Sequence, residues 1–211
     1  MPQQPSKPQQ ARSDSAQSKQ SQSMRTSAMR ISKDETSGLP TMLVQAILVA
    51  VVLMIGELIS APIYVSLQPG VFPLLPWAAV AWLLAIGFAY VVGFALLWCA
   101  ESFAYRLKAK AQPLIYAVIG AVSFAVWTAW VVLGIMNMIF VRVGMAPVSS
   151  QAMIPAVVNG AVLGLCAFFV AATVTPRIAK HRAAVIIMGI VTILAAALGG
   201  YVLSQMMQVL G

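Results

Sequence analysis

The sequence predicts an all-α integral membrane protein with five transmembrane helices, and three observations carry this prediction. Hydrophobic residues make up 61% of the chain and charged residues only 9%. A soluble surface needs about a quarter of its residues charged, so lipid is the solvent that fits this composition. The few charges also lie in short clusters separated by long apolar runs. Because one crossing takes roughly 20 residues of helix, 211 residues hold about five crossings and little else.

Residues 1–38 differ in composition from the rest, being rich in Gln, Ser and Pro. Such a segment cannot bury enough apolar surface to offset the entropy lost on ordering. We therefore expect a disordered tail over 1–38 and a membrane domain over 39–211. Six bases are spaced along the tail, namely Lys7, Arg12, Lys19, Arg25, Arg30 and Lys33.

Prolines and turn residues delimit the five spans. Pro40 suits the first turn of span one, where a missing N–H costs little, and Pro69 and Pro73 separate spans one and two. Span three starts near Pro113 and ends before the loop with Gly144 and Pro147. Pro176 is expected to stop span four, and span five runs toward the carboxyl end. The predicted spans cover 40–67, 74–102, 113–142, 153–175 and 183–205.

The bases also predict an orientation. Lys and Arg beside membrane helices are retained in the cytoplasm. Twelve of the 13 bases fall on the tail and on the loops after spans two and four, and Arg142 is the exception. The amino terminus is thus predicted inside and the carboxyl terminus outside, in a multi-pass protein of a bacterial plasma membrane. The inner loops carry Arg106, Lys108, Lys110, Arg177, Lys180 and Arg182.

Because these bases flank apolar spans, their predicted partners are anionic lipid head groups of the bilayer rather than nucleic acid. Small residues recur every four positions along most spans, and in lipid such ridges allow helices to approach closely. They predict either a tight bundle within the chain or docking onto partner membrane proteins or a second copy of this chain. The ridges alone do not distinguish these possibilities. The ridge residues are Gly56, Ala85, Ala89, Gly93, Ala121, Ala125, Gly160, Gly164, Ala196 and Gly200.

Four polar residues break the apolar runs and are the candidates for a ligand site or ion pathway: Glu57, Asn137, Asn159 and Arg142. Glu57 stands ten residues from the end of span one, about 15 Å along the axis at about 1.5 Å per residue. A carboxyl group at that depth costs a few kcal/mol and usually has a partner inside the bundle. Arg142, the only base predicted on that side, is the expected partner.

Seven-residue spacing makes nearly two helical turns, so it predicts which side chains share these residues' faces. Three stripes are expected to turn their polar members inward. They are Ala50, Glu57, Ser60 and Tyr64 in span one, Trp127, Trp130, Gly134 and Asn137 in span three, and Asn159, Cys166 and Thr173 in span four.

No catalytic, metal-binding or cofactor motif is present in the sequence. His181 is the only histidine, and Cys99 and Cys166 form no C-x-x-C pair, so neither metal nor cofactor is expected. We therefore predict a protein that is not an enzyme. The first interpretation is that it serves as a structural or accessory subunit of a membrane assembly, with the polar residues forming hydrogen bonds that hold the helices together. The alternative is a small transporter or permease component with a proton- or cation-linked site around Glu57.

Overall fold

Five long apolar helices account for almost all of the chain that the computed structural model describes, which is residues 40–67, 74–104 and 111–209. These residues contain no strand, and each helix is long and apolar enough to cross a membrane. The prediction of five such helices is confirmed. The tail over 1–38 and the loops with Pro69, Pro73 and Arg106 lie outside the described residues. The helices are α1 Thr41–Leu67, α2 Leu74–Phe103, α3 Gln112–Arg142, α4 Ser150–Ile178 and α5 Arg182–Gln208.

Helix α4 is longer than the sequence predicted at both ends. It begins at Ser150 because Ser149 caps it, with the Ser149 hydroxyl accepting a hydrogen bond from the Ala152 N–H at 3.3 Å. It also continues through Pro176 to Ile178. Pro176 has no N–H to donate to the Ala172 carbonyl, and membrane helices tolerate such a gap through neighbouring groups and local adjustments. Beside this proline, the Thr175 hydroxyl donates to the Ala171 carbonyl at 2.6 Å.

Two π-helical segments interrupt the long helices, Phe88–Gly93 in α2 and Thr128–Val132 in α3. In the second, the Leu133 N–H donates to the Thr128 carbonyl, five residues back. Such segments widen the turn and change which residues share a face. Nothing in the apolar pattern indicated them, because side chains that face lipid are as apolar as those that face the core.

The predicted inward stripes hold only in α1, where Ala50, Glu57, Ser60 and Tyr64 are all buried. In α3 the stripe through Trp130 was wrong, since that side chain is 82% exposed. Buried side chains of α3 recur instead about every four residues, a spacing consistent with the π segment. In α4 the stripe was wrong as well, because Cys166 and Thr173 are exposed. A straight helix drifts about 20° per seven residues, so a strict seven-residue stripe leaves the interface.

Helix α1 lies at the centre of the bundle and packs against α2 and α4, while α3 packs on α4 and α5 on α2. The core has two parts along α1. The first joins the amino-terminal half of α1, from Val44 to Met54, to Phe88, Phe124 and Phe168. The second joins Tyr64 to Trp77 and to residues of α3 and α4. Glu57 stands between these two parts in the sequence of α1.

Several glycines of the predicted ridges are used for contacts within the chain. A side chain on Gly164 would collide with the Gly120 carbonyl and with Phe124, and one on Gly160 would collide with Thr128. Gly56 accommodates Leu163, and Gly93 is buried. On α5 the contact with α2 is made by Gly199, whereas the predicted Gly200 faces open space. Among the predicted ridge alanines Ala85 and Ala89 are buried, and those half-buried are Ala121, Ala125 and Ala196.

Candidate functional site: a buried polar cluster around Glu57

Glu57 lies inside the bundle with 2% of its surface exposed. It is the only charged residue among the buried side chains of the described chain. No Lys, Arg or His among the described residues forms an ion pair with it. The expected pairing with Arg142 is absent from the structure. Arg142 is exposed at the end of α3, and its Nη1 lies 3.6 Å from the sulfur of Met207.

A hydrogen bond one turn further along α1 joins this helix to α4. The Ser60 hydroxyl donates to the Asn159 side-chain oxygen at 3.0 Å. Helix positions three or four residues apart share a face, so Glu57 and Ser60 both point toward α4. Gly56 allows that approach, because its missing side chain leaves room for Leu163 of α4. Glu57 and Asn159, predicted separately from the sequence, therefore belong to one cluster.

Tyr64 completes the cluster on its carboxyl-terminal side. Its hydroxyl lies beside both Glu57 and Asn159, although none of these contacts has full hydrogen-bond geometry. Side chains of a helix lean toward its amino terminus, which is why Tyr64 reaches back toward Glu57. The Tyr64 ring packs on Trp77 of α2 with ring centroids 6.1 Å apart.

The cluster holds more polar atoms than the described residues pair with one another. Buried atoms without a hydrogen-bond partner there include Oε2 of Glu57, the hydroxyl of Tyr64 and Nδ2 of Asn159. In α3 the Thr128 hydroxyl and the Trp127 indole N–H share this property. Leaving a buried donor or acceptor unmatched costs about 1–3 kcal/mol, so a concentration of such atoms is unusual for a purely structural contact.

Thr128 was missed by the sequence analysis, although it is fully buried and starts the π segment of α3. Its hydroxyl lies against Gly160, the residue after Asn159. Gly120, Phe124 and Thr128 are spaced by four, but this row becomes informative only once the structure shows the first two buried against α4.

Asn137 has a different role from the one predicted for it. Its side-chain oxygen accepts a hydrogen bond from the Val148 N–H at 2.9 Å, which fastens the loop between α3 and α4 to the end of α3. Gly144 in this loop has φ of +77°, a backbone conformation that glycine adopts without steric cost. Asn137 and Arg142 thus lie outside the cluster that contains Glu57 and Asn159.

An aromatic layer lies on the amino-terminal side of Glu57. Phe88 packs against Phe124, Trp127 and Phe168, with centroid distances of 4.9, 5.6 and 6.3 Å. The rings of this layer belong to α2, α3 and α4. Together with the apolar residues of α1 up to Met54 they form the first part of the core. Glu57 is therefore placed between an apolar layer on one side and Tyr64 on the other.

Comparisons of this chain with models of protein families, with curated proteins and with solved structures find no match. The chemistry of the cluster must therefore be argued from its own residues. A single buried carboxyl group beside hydroxyl and amide groups can hold and release a proton, or bind one small cation.

Proposed function

We propose that the protein is embedded in a membrane through its five helices, and that Glu57 takes up and releases a proton inside the bundle. In this proposal the protein is a small proton-translocating component with a transport role rather than an enzymatic one. The observation that carries the proposal is the burial of the Glu57 carboxyl group with no basic partner among the described residues. An acid in such a position is costly to retain and is typical of proton relays in membrane proteins.

The accessory role predicted first from the sequence receives less support from these contacts. It rested on ridges of small residues, which serve either the chain's own packing or a partner. Gly56, Gly160 and Gly164 are occupied by neighbouring helices of the same chain. Polar glue, the companion interpretation, explains the bond between Ser60 and Asn159 but not the unmatched atoms of Glu57 and Tyr64.

A proton suits the cluster better than a metal cation does. Hard cations such as Ca²⁺ and Mg²⁺ take about six or more oxygen ligands, and N–H groups repel them. Two of the unmatched groups among the described residues, Nδ2 of Asn159 in the cluster and Nε1 of Trp127 in the aromatic layer, are N–H donors. A proton needs only the carboxyl group itself.

The proposal includes an orientation with the amino terminus inside a bacterial plasma membrane. Arg177, Lys180 and Arg182 are all exposed around the turn between α4 and α5, where they suit the anionic head groups of a cytoplasmic leaflet. Each such base contributes about 1 kcal/mol near an anionic surface.

The test is proton movement through reconstituted protein. We expect vesicles containing the purified protein to dissipate an imposed pH gradient faster than protein-free vesicles, and Glu57→Gln to reduce this rate at least about tenfold. Proton-transfer groups typically contribute 10² to 10⁴ in rate, so a loss of this size is readily measured.

Glu101→Gln is the matched control, because Glu101 is an exposed acid near the end of α2. This variant should transport at the rate of the unmodified protein. Equal rates for Glu57→Gln and unmodified protein, or no flux above that of empty vesicles, would refute the proposal.

A further inference from the structure

Polar groups are distributed unequally on the two sides of Glu57 along α1. Toward the carboxyl end of α1 stand Ser60 and Tyr64, both buried and both on the Glu57 face. Toward its amino end the buried residues of α1, from Val44 to Met54, are all apolar. A proton leaving Glu57 therefore meets a hydroxyl group in one direction and hydrocarbon in the other.

Tyr64 is placed to receive that proton. Its hydroxyl lies beside the Glu57 carboxyl group and also beside Asn159, and it lacks a hydrogen-bond partner among the described residues. Its own backbone stands three residues before Leu67, the last residue of α1, or about 4.5 Å along the axis. Because the side chain leans back toward Glu57, the hydroxyl itself lies near the Glu57 carboxyl group, and an acceptor for its proton has to approach from the carboxyl end of α1.

On the opposite side of Glu57, the Trp127 indole N–H of the aromatic layer is unmatched but is a donor only, so it cannot accept a proton from Glu57. Phe88, Phe124 and Phe168 pack together there. Polar side chains farther along are already bonded: the Tyr90 hydroxyl to Thr192 at 3.0 Å, and the Ser123 hydroxyl to the Ile119 carbonyl at 2.6 Å.

We propose that Tyr64 is the residue through which Glu57 exchanges its proton with water at the carboxyl end of α1. This inference rests on the proposed function, and it adds the route and its direction. In the release step, the O–H bond of the Glu57 carboxyl group breaks and an O–H bond forms to the Tyr64 oxygen. At the same time the original Tyr64 O–H bond breaks and its proton passes to a water molecule that has entered from the carboxyl end of α1, because the Tyr64 hydroxyl itself is buried. Glu57 becomes a carboxylate, Tyr64 stays neutral, and the water becomes hydronium.

Few other groups can influence this exchange. Among the described residues Tyr64 is the one titratable side chain that interacts with Glu57. Helices α4 and α2 face α1 with neutral groups, Asn159 and Trp77. Helix α5 also contacts α1, and its titratable side chains, Arg182 and Tyr201, are exposed. Tyr90 of α2 bonds to Thr192, and Arg142 contacts Met207 at the end of the bundle.

The experiment follows the infrared C=O band of the protonated Glu57 carboxyl group after a rapid pH jump, using the full chain in detergent. Glu57→Gln identifies the band by removing it. We expect Tyr64→Phe to slow the relaxation of this band about 100-fold, because the variant removes only the relaying hydroxyl. The phenyl ring remains to pack on Trp77, and thermal melts verify that the fold is kept.

Tyr90→Phe is the matched control, since it removes a hydroxyl from the other side of the bundle. Unchanged relaxation in this control, together with slow relaxation in Tyr64→Phe, supports the relay. Relaxation of Tyr64→Phe at the rate of the unmodified protein overturns it, as does slowing confined to Tyr90→Phe. If no pH-dependent band is lost in Glu57→Gln, the proposed function itself fails, which distinguishes that failure from failure of the relay alone.

Discussion

Helix α4 makes two contacts of opposite kinds, one with α3 and one with α1. Toward α3 it presents Gly160 and Gly164, and the backbones approach so closely that a side chain would collide with Gly120 or Thr128. Toward α1 it presents Asn159, which accepts a hydrogen bond from Ser60 beside a buried acid. The first contact is complementary in shape and includes one buried hydroxyl, that of Thr128, without a hydrogen-bond partner, whereas the second leaves such atoms on Glu57, Tyr64 and Asn159.

The α3 face of α4 therefore contributes to the stability of the bundle, whereas the α1 face carries the polar groups of the proposed site. Helices in lipid associate by van der Waals contact, which glycine-mediated approach maximises. The stability of the α3–α4 pair therefore does not depend on the polar cluster. Variants on the α3 face of α4 should accordingly change mainly the free energy of unfolding, and variants on the α1 face should also change the proton flux.

The largest effect is expected from Gly164→Val on the α3 face. The added side chain has to displace the Gly120 carbonyl or Phe124, and we expect the free energy of unfolding to fall by about 3 kcal/mol or more. Thermal or detergent-induced unfolding measures this change. Gly200→Val is the control, because a side chain there meets open space. Similar losses for the two variants would contradict the close α3–α4 contact.

A smaller effect is expected on the α1 face, from Ser60→Ala and Asn159→Ala. A double-mutant cycle should give a coupling free energy of about 0.6–2 kcal/mol, the range found for hydrogen bonds between membrane helices. Because the site lies on this face, Asn159→Ala should lower the proton flux even under conditions in which the variant is fully folded. A coupling within about 0.3 kcal/mol of zero would show that the bond between Ser60 and Asn159 does not form.

The smallest effect belongs to a polar contact away from α4. Tyr90→Phe removes the hydroxyl that bonds to Thr192 and links α2 to α5. We expect a loss of about 0.6 kcal/mol in unfolding free energy and unchanged proton flux, since this contact is glue alone. Reduced flux at retained stability would place Tyr90 in the proton pathway and erase the distinction between the two kinds of polar contact.

The number and approximate positions of the five helices could be predicted from the sequence, because long apolar runs bounded by charges have few other solutions in lipid. The burial of Glu57 was predictable for the same reason. The partners of polar side chains were not. Asn137 bonds to a loop and Arg142 to a methionine, and both choices depend on how the helix ends are arranged.

Which face of each helix is buried could not be predicted from the sequence either. In a soluble protein the polar face identifies the exposed side, but exposed residues here, such as Trp130, are as apolar as the core. The two π segments add a change of register that no residue type announces. Thr128 was overlooked for this reason, as a single hydroxyl in an apolar run.

Exchange of the Glu57 proton with solvent, despite the burial of this carboxyl group, can be measured by an infrared pH titration at equilibrium. We expect a carboxyl band that disappears reversibly as the pH is raised and is missing at every pH in Glu57→Gln. Over the pH range in which the protein remains folded, identical pH-difference spectra for the two proteins would contradict this expectation.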